Sequence, residues 1–184
     1  MSSVYMEAAV EDLAGVLRRV RARDLKAMES VILESRNVFV TGLGRTGLMA
    51  RGFAMRLMHL GRTVFHVGDV ITPAIRRGDL LVICSRTGGS KVLMHYIQIA
   101  RKARARVCVV TARPDSPVAS KADVVLPIDD RPKRRAADSK VPLPPLGSLF
   151  EQAVLIVLDQ VVLGLMSALD LTEEDMARIH TEFE

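Results

Sequence analysis

Three hydroxyl side chains and two glycines occur within six residues of this chain. The stretch consists of Ser85, Arg86, Thr87, Gly88, Gly89 and Ser90. Hydroxyls donate hydrogen bonds to anionic oxygens, and glycine lets the backbone approach a ligand closely. A helical pattern follows over 89–104, so unpaired N–H groups and the positive end of a helix dipole point at the same place. The stretch therefore predicts a phosphate-binding turn that needs no metal. The alternative is an ordinary Ser/Thr turn with a helix N-cap.

A second glycine-rich turn, TGLGRTG (41–47), also follows a strand-like run. It contains Gly44, Arg45 and Thr46 and matches part of a dinucleotide-binding loop. The alternative is a tight strand-to-helix turn. No clear ribose-binding acid ends the next strand, and the arginine favours a small anionic ligand over a dinucleotide.

The elements that would position these turns alternate along the chain. Five short apolar runs are typical of strands: 37–42, 63–68, 79–85, 106–111 and 123–128. Helical spacing covers one or two segments within 5–35, then 45–61, 89–104, about 147–169 and 173–181. This alternation predicts a three-layer αβα fold, flavodoxin- or Rossmann-like, with a mostly parallel five-stranded sheet and an N-terminal helical extension. Ligands of such sheets bind beyond the carboxyl ends of the strands, where both turns lie.

The domain organisation predicted from the sequence is a single domain over 1–184. Its parts are N-terminal helices at 1–36, a sheet core at 37–128, a Pro-rich polar linker at 129–145 and C-terminal helices at 146–184. The 184 residues are 49% hydrophobic, which is enough apolar material for a core.

Composition argues against several classes of protein. The net charge is +5, but the Lys and Arg residues are scattered apart from RPKRR (131–135), and aromatic residues make up only 4%, so we expect no nucleic-acid partner. The longest apolar run, 153–166, is broken by Asp159 and Gln160 and is too short to span a bilayer. Two cysteines inside apolar runs favour the reducing cytoplasm. No His, Cys or carboxylate set has metal-binding spacing, so we expect neither metal nor cofactor.

The turn and several flanking stretches together resemble the sugar isomerase (SIS) domain family, which binds phosphosugars with such a serine-rich turn. Within that family the similarity is greatest to the 6-phospho-3-hexuloisomerases. The stretches that carry it are GLGRTG (42–47), FAMRLMHLG (53–61), VGDVITPAIRRGDLLVICS (67–85) and LGSLFEQAVLIVLD (146–159). The resemblance covers about 37–180.

The chain departs from the family pattern at three places. The family's turn usually reads Ser-Gly-Ser-Gly, then any residue, then Thr or Ser; here Arg86 replaces the first glycine. That arginine adds a phosphate contact, crowds the pocket or indicates another substrate. Asp69 stands where the family tends to have Glu, and Glu182 stands at a family Asn position two residues after His180.

The resemblance implies an isomerase that interconverts 3-hexulose 6-phosphate and fructose 6-phosphate through an enediolate, in the ribulose monophosphate pathway of formaldehyde assimilation. It implies Glu151 as the proton-transferring base. On spacing alone, Ser148 and Glu151 read more readily as a helix capping box. The resemblance also gives His180 a role in ring opening or proton relay, in its own subunit or in a neighbouring one.

Two further interpretations remain open. One is a non-catalytic sugar-phosphate sensor, although residues 1–36 look too short and too apolar for a helix-turn-helix region. The other is an aldose–ketose phosphosugar isomerase of another specificity. The surplus of apolar residues in the N-terminal helices and in 147–169 predicts a homodimer or homotetramer.

Overall fold

A computed structural model describes residues 2–132, 142 and 144–182 of the chain. Its helices and strands follow the order expected for an α/β domain. They are α1 (Ser2–Leu17), α2 (Ala22–Leu33), β1 (Val38–Gly42), α3 (Gly44–His59), β2 (Val64–His66), β3 (Leu80–Cys84), α4 (Lys91–Lys102), β4 (Arg106–Thr111), β5 (Val124–Pro127), α5 (Ser148–Leu169) and α6 (Glu173–Ala177). Short 3-10 turns cover Ala119–Lys121 and Pro145–Gly147.

The five strands form one sheet in the order β2-β1-β3-β4-β5, and every neighbouring pair is parallel. All five residues of β3 are buried, because this strand lies in the middle of the sheet and is covered on both faces. Its uninterrupted apolar sequence is what a strand in that position requires. The predicted α/β fold with a five-stranded parallel sheet is confirmed.

Helices cover both faces of the sheet and divide the core in two. The larger half lies under α1, α2, α3 and α5, with Phe53, Phe150 and Leu158 among its fully or almost fully buried side chains. The smaller half lies on the other face of the sheet, where Leu93 and Ile97 of α4 pack on β3 and β4. Burial of this apolar surface is the main favourable contribution to the stability of the fold.

Helix α5 is both the most apolar helix and a core element. Its length and hydropathy satisfy the criteria for a membrane span, so the expectation that its apolar run is too short does not hold on those criteria. The helix nevertheless packs on α1, α2 and α3, and its buried face includes Val154, Val157 and Val161. Packing inside the domain accounts for the apolar residues of this buried face.

The structure shortens several predicted elements. Strand β2 has three residues instead of six, and the last helix ends at Ala177 instead of extending to 181. A capping box formed by Thr172 and Asp175 begins that helix. Most of the predicted linker at 129–145 lies outside the described residues.

Two glycines let α3 begin directly against the end of β1. Leu43 is the N-cap, and Gly44 opens the helix with φ +56°. A Cβ on Gly47 would lie 2.6 Å from the carbonyl oxygen of Gly42, closer than real Cβ contacts. A side chain at position 47 would therefore push the helix away from the strand. This contact explains the spacing of the first glycine-rich turn.

We predict opposite effects for the same substitution at two glycines of α3. Gly47→Ala should destabilise the protein by about 1–3 kcal/mol, because the added methyl group meets the backbone of Gly42. Gly52→Ala should stabilise it by about 0.5–1 kcal/mol, because nothing lies within 4 Å of the added Cβ and alanine favours the helix. Chemical denaturation of both variants measures this difference, and equal shifts would contradict the assigned close contact.

Candidate functional site

The two glycine-rich turns lie side by side at the carboxyl edge of the sheet. Strands β1 and β3 pair in register, with Gly42 opposite Cys84, so both strands end at the same level. The first turn leads into α3 and the second into α4. Two helix N-termini, with their unpaired N–H groups, therefore face one region above the sheet.

Two of the three hydroxyls of the second turn are already used as hydrogen-bond acceptors. Ser85 is buried, and its Oγ accepts from the backbone N–H of Gly88 at 3.2 Å. Ser90 is the N-cap of α4, and its Oγ accepts from Leu93 N–H at 3.4 Å. Each hydroxyl still carries a hydrogen that it can donate. The turn-and-cap interpretation and the phosphate-binding interpretation are therefore compatible.

Gly88 fixes the shape of this turn. Its φ is +61°, and a Cβ built on it would lie 1.9 Å from Ser116 Oγ. Its carbonyl accepts from Val118 N–H at 3.1 Å, which ties the turn to the segment after β4. Thr87 and Gly89, on either side, are exposed. The turn thus has a rigid base and an open upper surface.

Glu151 is not part of a capping box. The N-cap of α5 is Gly147, with φ +89°, and no side chain caps this helix. Ser148 lies inside the first turn and donates from Oγ to the carbonyl of Pro145 at 2.7 Å. Glu151 comes one residue too late to reach back to the N-cap. The alternative based on the spacing of Ser148 and Glu151 is therefore wrong.

The Glu151 carboxylate is buried and makes one close polar contact with the part of the chain that the structure describes. Its Oε2 lies 2.9 Å from Arg45 Nε, an ion pair in which the N–H is not aligned for a hydrogen bond. Only 11% of the glutamate side chain is exposed, against 61% of the arginine side chain. Next to the arginine, Thr46 is buried in the first turn of α3. The structure therefore brings the first glycine-rich turn and the start of α5 together.

Arg86 extends from the second turn towards the start of α5. Its Nε forms an ion pair with Asp130 Oδ2. Its Cδ lies 2.8 Å from the position that a Cβ of Gly147 would occupy, so the side chain packs where Gly147 has none. Its carbonyl accepts from Ala112 N–H and from Thr111 Oγ1, both at 3.2 Å. The backbone and the side chain of this residue are both held in place.

The sequence analysis missed Asp130. Only 3% of this side chain is exposed, and its Oδ1 accepts from Arg113 Nη1 at 3.2 Å. The available signal was its position after the last strand, at the edge where ligands bind. A cavity of about 380 Å³ beside it is lined by Ala112, Arg113, Pro114, Asp115, Pro127, Asp129 and Arg131. At this cavity the Arg131 guanidinium lowers the pKa of Asp129 to about 2.

His180 lies far from these groups within one chain. Its ring stacks on the ring of His59, with centroids 5.0 Å apart. His59 is the last residue of α3, whereas Arg45 lies in the first turn of the same sixteen-residue helix. Such a helix is about 24 Å long. The structure therefore does not bring His180 to Glu151 of the same subunit.

The other two histidines do not join the site. His95 is exposed on α4. His66 is in β2, with Nδ1 3.5 Å from Asp69, and burial together with the nearby Arg51 lowers its pKa. Among the residues that the structure describes, no three His, Cys, Asp or Glu side chains cluster as metal ligands. The groups at this sheet edge are therefore hydroxyls, backbone N–H groups, three arginines and two carboxylates.

Comparison with known proteins agrees with this architecture. The family model described as the SIS domain matches residues 31–155, which is more than half of the chain. The chain belongs to the SIS domain family. Membership of the SIS family was predicted from the glycine-rich turns and the flanking stretches, and that prediction is confirmed.

This SIS domain protein is similar to several proteins that are named as isomerases. It is 34% identical to the 3-hexulose-6-phosphate isomerase of Bacillus subtilis, over 98% of this chain and 97% of that protein. It is 36% identical to the enzyme of the same name from Mycobacterium gastri, over 95% and 87%. A Methanococcus jannaschii protein, whose crystal structure infers a molecular function of 3-hexulose-6-phosphate isomerase, superposes with a TM-score of 0.83 at 26% identity, covering 97% of this chain and 98% of that one.

We predict that the turn 85–90 anchors a phosphate. Changing Ser85 and Ser90 to Ala together removes donors to a charged group, each worth about 1.5–3 kcal/mol, so affinity for fructose 6-phosphate should fall at least tenfold in calorimetry. Ser90→Ala also removes an N-cap, at a cost of about 0.5–2 kcal/mol of stability.

Thr172→Ala is the matched control, because it removes the N-cap of α6, which is not part of this edge of the sheet. It should lose stability but bind as the wild type does. Unchanged affinity in the double serine variant would contradict a phosphate at this turn.

Proposed function

We propose that this chain interconverts 3-hexulose 6-phosphate and fructose 6-phosphate by general acid–base catalysis. Similarity over nearly the whole chain to isomerases of that name supports this substrate pair. The observation that carries the proposal is the buried Glu151 carboxylate, which has no hydrogen bond to any described residue and lies at the same sheet edge as the hydroxyl-rich turn. A carboxylate that neither caps a helix nor forms a hydrogen-bonded pair is available to accept a proton.

The reaction moves one carbon-bound proton between neighbouring carbons. In the direction from fructose 6-phosphate, Glu151 takes the proton from carbon 3, which is beside the carbonyl at carbon 2. The electron pair of that C–H bond forms the double bond of an enediolate, and negative charge develops on the carbonyl oxygen. The hydroxyl proton of oxygen 3 passes to oxygen 2, the protonated carboxyl returns its proton to carbon 2, and the carbonyl forms at carbon 3. No atom is gained or lost, so no co-reactant is needed.

Arg45 supplies the charge that this intermediate requires. In the structure its Nε contacts Glu151 Oε2 at 2.9 Å, and most of its side chain is exposed. A bound substrate draws this guanidinium from the carboxylate to the developing oxyanion. Positive charge positioned at an enediolate stabilises the transition state more than the ground state. The same movement frees the carboxylate to act as the base.

His180 acts, in this proposal, in the site of a neighbouring subunit. Its position at the far end of α3 excludes contact with Glu151 of the same chain. Apolar side chains on α1 and α5 supply surface for association. The exposed ones are Val4, Tyr5, Met6, Val10, Leu155 and Leu163. We therefore propose a homodimer or homotetramer whose sites are shared between subunits.

The cellular setting follows from the reaction and from the thiols. We place the protein in the cytoplasm, in the ribulose monophosphate pathway. Cys84 and Cys108 are free and buried, and burial raises the pKa of Cys84 to about 12. Such thiols stay protonated and do not form the disulfides that are common in oxidising compartments.

We expect Glu151→Gln to lose isomerisation by at least about a hundredfold while keeping its fold, because the amide fills the same space but cannot accept the proton. The measurement is the exchange of the carbon-bound proton of fructose 6-phosphate with deuterium oxide, followed by nuclear magnetic resonance. Asp159→Asn is the control, since this exposed carboxylate lies two turns further along α5.

The same experiment tests the alternative functions. Exchange at a wild-type rate in the Gln variant would show that another group is the base. Binding of fructose 6-phosphate by the wild type without any exchange would favour the sugar-phosphate sensor. Exchange at carbon 1 instead of carbon 3 would indicate an aldose–ketose isomerase.

A shared site predicts complementation between inactive variants. Light scattering at micromolar concentration should give the mass of a dimer or a tetramer. Glu151→Gln and His180→Ala subunits, each inactive alone, should recover up to about a quarter of the wild-type activity when refolded together as random dimers. A monomer mass, or a mixture that stays inactive, would contradict a His180 contribution across subunits.

A further inference from the structure

Asp130 is a buried carboxylate that the proposed proton transfer does not use. It follows the last strand and lies between two arginines, with Arg86 Nε on Oδ2 and Arg113 Nη1 3.2 Å from Oδ1. Only 3% of its side chain is exposed. Removing an ionised group from water is costly unless it is paired, and here both oxygens are paired. A buried acid at the ligand-binding edge of the sheet requires an explanation.

The Arg86 side chain is held at one nitrogen and open at the other two. Its Nε is committed to Asp130, whereas Nη1 and Nη2 have no hydrogen-bond partner among the described residues. The side chain is 40% exposed. A guanidinium held in this way presents two parallel N–H groups, the geometry that binds two oxygens of one phosphate.

The Arg86 guanidinium lies between the hydroxyl-rich turn and the start of α5. Its backbone is part of the turn 85–90, and its Cζ lies 3.7 Å from the position that a Cβ of Gly147 would occupy. Gly147 and Glu151 are four residues apart at the start of α5, so they share one face of the helix. In a phosphosugar that extends from the turn to Glu151, the phosphorylated end would lie next to this guanidinium.

We propose that Asp130 is a positioning residue that holds Arg86 against the start of α5, so that its two terminal nitrogens bind the substrate phosphate from the side opposite the serine hydroxyls. This inference rests on the proposed function for the identity of the substrate, but not for the presence of a phosphate. It assigns a role to the arginine that replaces the usual glycine of the SIS turn. It also explains Gly147, because a side chain there would displace the Arg86 side chain.

Holding the arginine matters because a free arginine side chain loses conformational freedom on binding. An arginine already fixed by Asp130 has lost that freedom on folding, so less is lost when the phosphate arrives. The electrostatic effect of Asp130 has the opposite sign, since its negative charge repels a phosphate. Substitution of Asp130 therefore separates the two effects: loss of positioning weakens phosphate binding, and loss of the charge alone strengthens it.

The experiment is calorimetric binding of inorganic phosphate and of fructose 6-phosphate to four variants and the wild type. Arg86→Gly and Asp130→Asn should each weaken both ligands by about tenfold, the loss expected for a charged hydrogen-bonded contact. The double variant should bind no more weakly than Arg86→Gly alone, because the aspartate acts only through the arginine. The control Asp129→Asn, whose partners are Arg19 and Arg131, should bind as the wild type does.

Three results would overturn the proposal. They are wild-type or tighter phosphate binding in Asp130→Asn, additive losses in the double variant, and a loss for the sugar phosphate without one for inorganic phosphate. If the Asn variant does not fold, Arg86→Lys decides. Lysine keeps the charge but cannot bind Asp130 and present two parallel donors at once, so it should also bind phosphate about tenfold more weakly. Wild-type affinity for phosphate in the Lys variant would contradict the proposal that Asp130 holds the Arg86 guanidinium for binding through its two terminal nitrogens.

The binding measurements test the role of Asp130 independently of the proposed isomerase activity. A wild-type protein that binds both ligands but catalyses no proton exchange would overturn the isomerase assignment and leave the role of Asp130 to be decided by the calorimetry. A protein that exchanges the proton but shows no coupling between Arg86 and Asp130 would overturn the positioning role alone.

Discussion

Parallel register is the constraint on which the candidate site depends. Because Gly42 of β1 pairs with Cys84 of β3, both strands end at one level and their following helices start at one level. The contact of Gly47 with the Gly42 carbonyl then holds α3 against the sheet, so Arg45 in its first turn reaches Glu151. Without that register the hydroxyl-rich turn and the carboxylate would face different regions.

Two buried carboxylates at the edge of the sheet are paired with arginines, and their surroundings differ. Glu151 contacts one largely exposed arginine without an aligned hydrogen bond, so separating the two side chains breaks no hydrogen bond between them. Asp130 is paired through both oxygens and is almost wholly buried, so breaking its pairs leaves a charge away from water. The same two side-chain types therefore suit a mobile chemical role in one place and a fixed supporting role in the other.

Local patterns in the sequence predicted the sheet, the order of its strands along the chain and both turns, because strands and strand-to-helix turns are encoded by apolar runs and glycines within a few residues. They did not predict that Glu151 lies outside a capping box at the start of α5. That depends on the left-handed Gly147, which moves the helix start by one residue and removes the capping box. Asp130 was missed, and the position of His180 relative to Glu151 was left open, since both depend on contacts between residues distant in the chain.

The residues of the turn from Ser85 to Ser90 differ in how much the fold depends on them. Ser85, Gly88 and Ser90 each support the fold through a backbone bond or a close approach, so drift at these positions endangers folding before it alters ligand choice. Thr87 is exposed and makes no hydrogen bond to any described residue. A substitution at position 87 therefore changes the surface that faces a ligand without breaking a contact that shapes the turn.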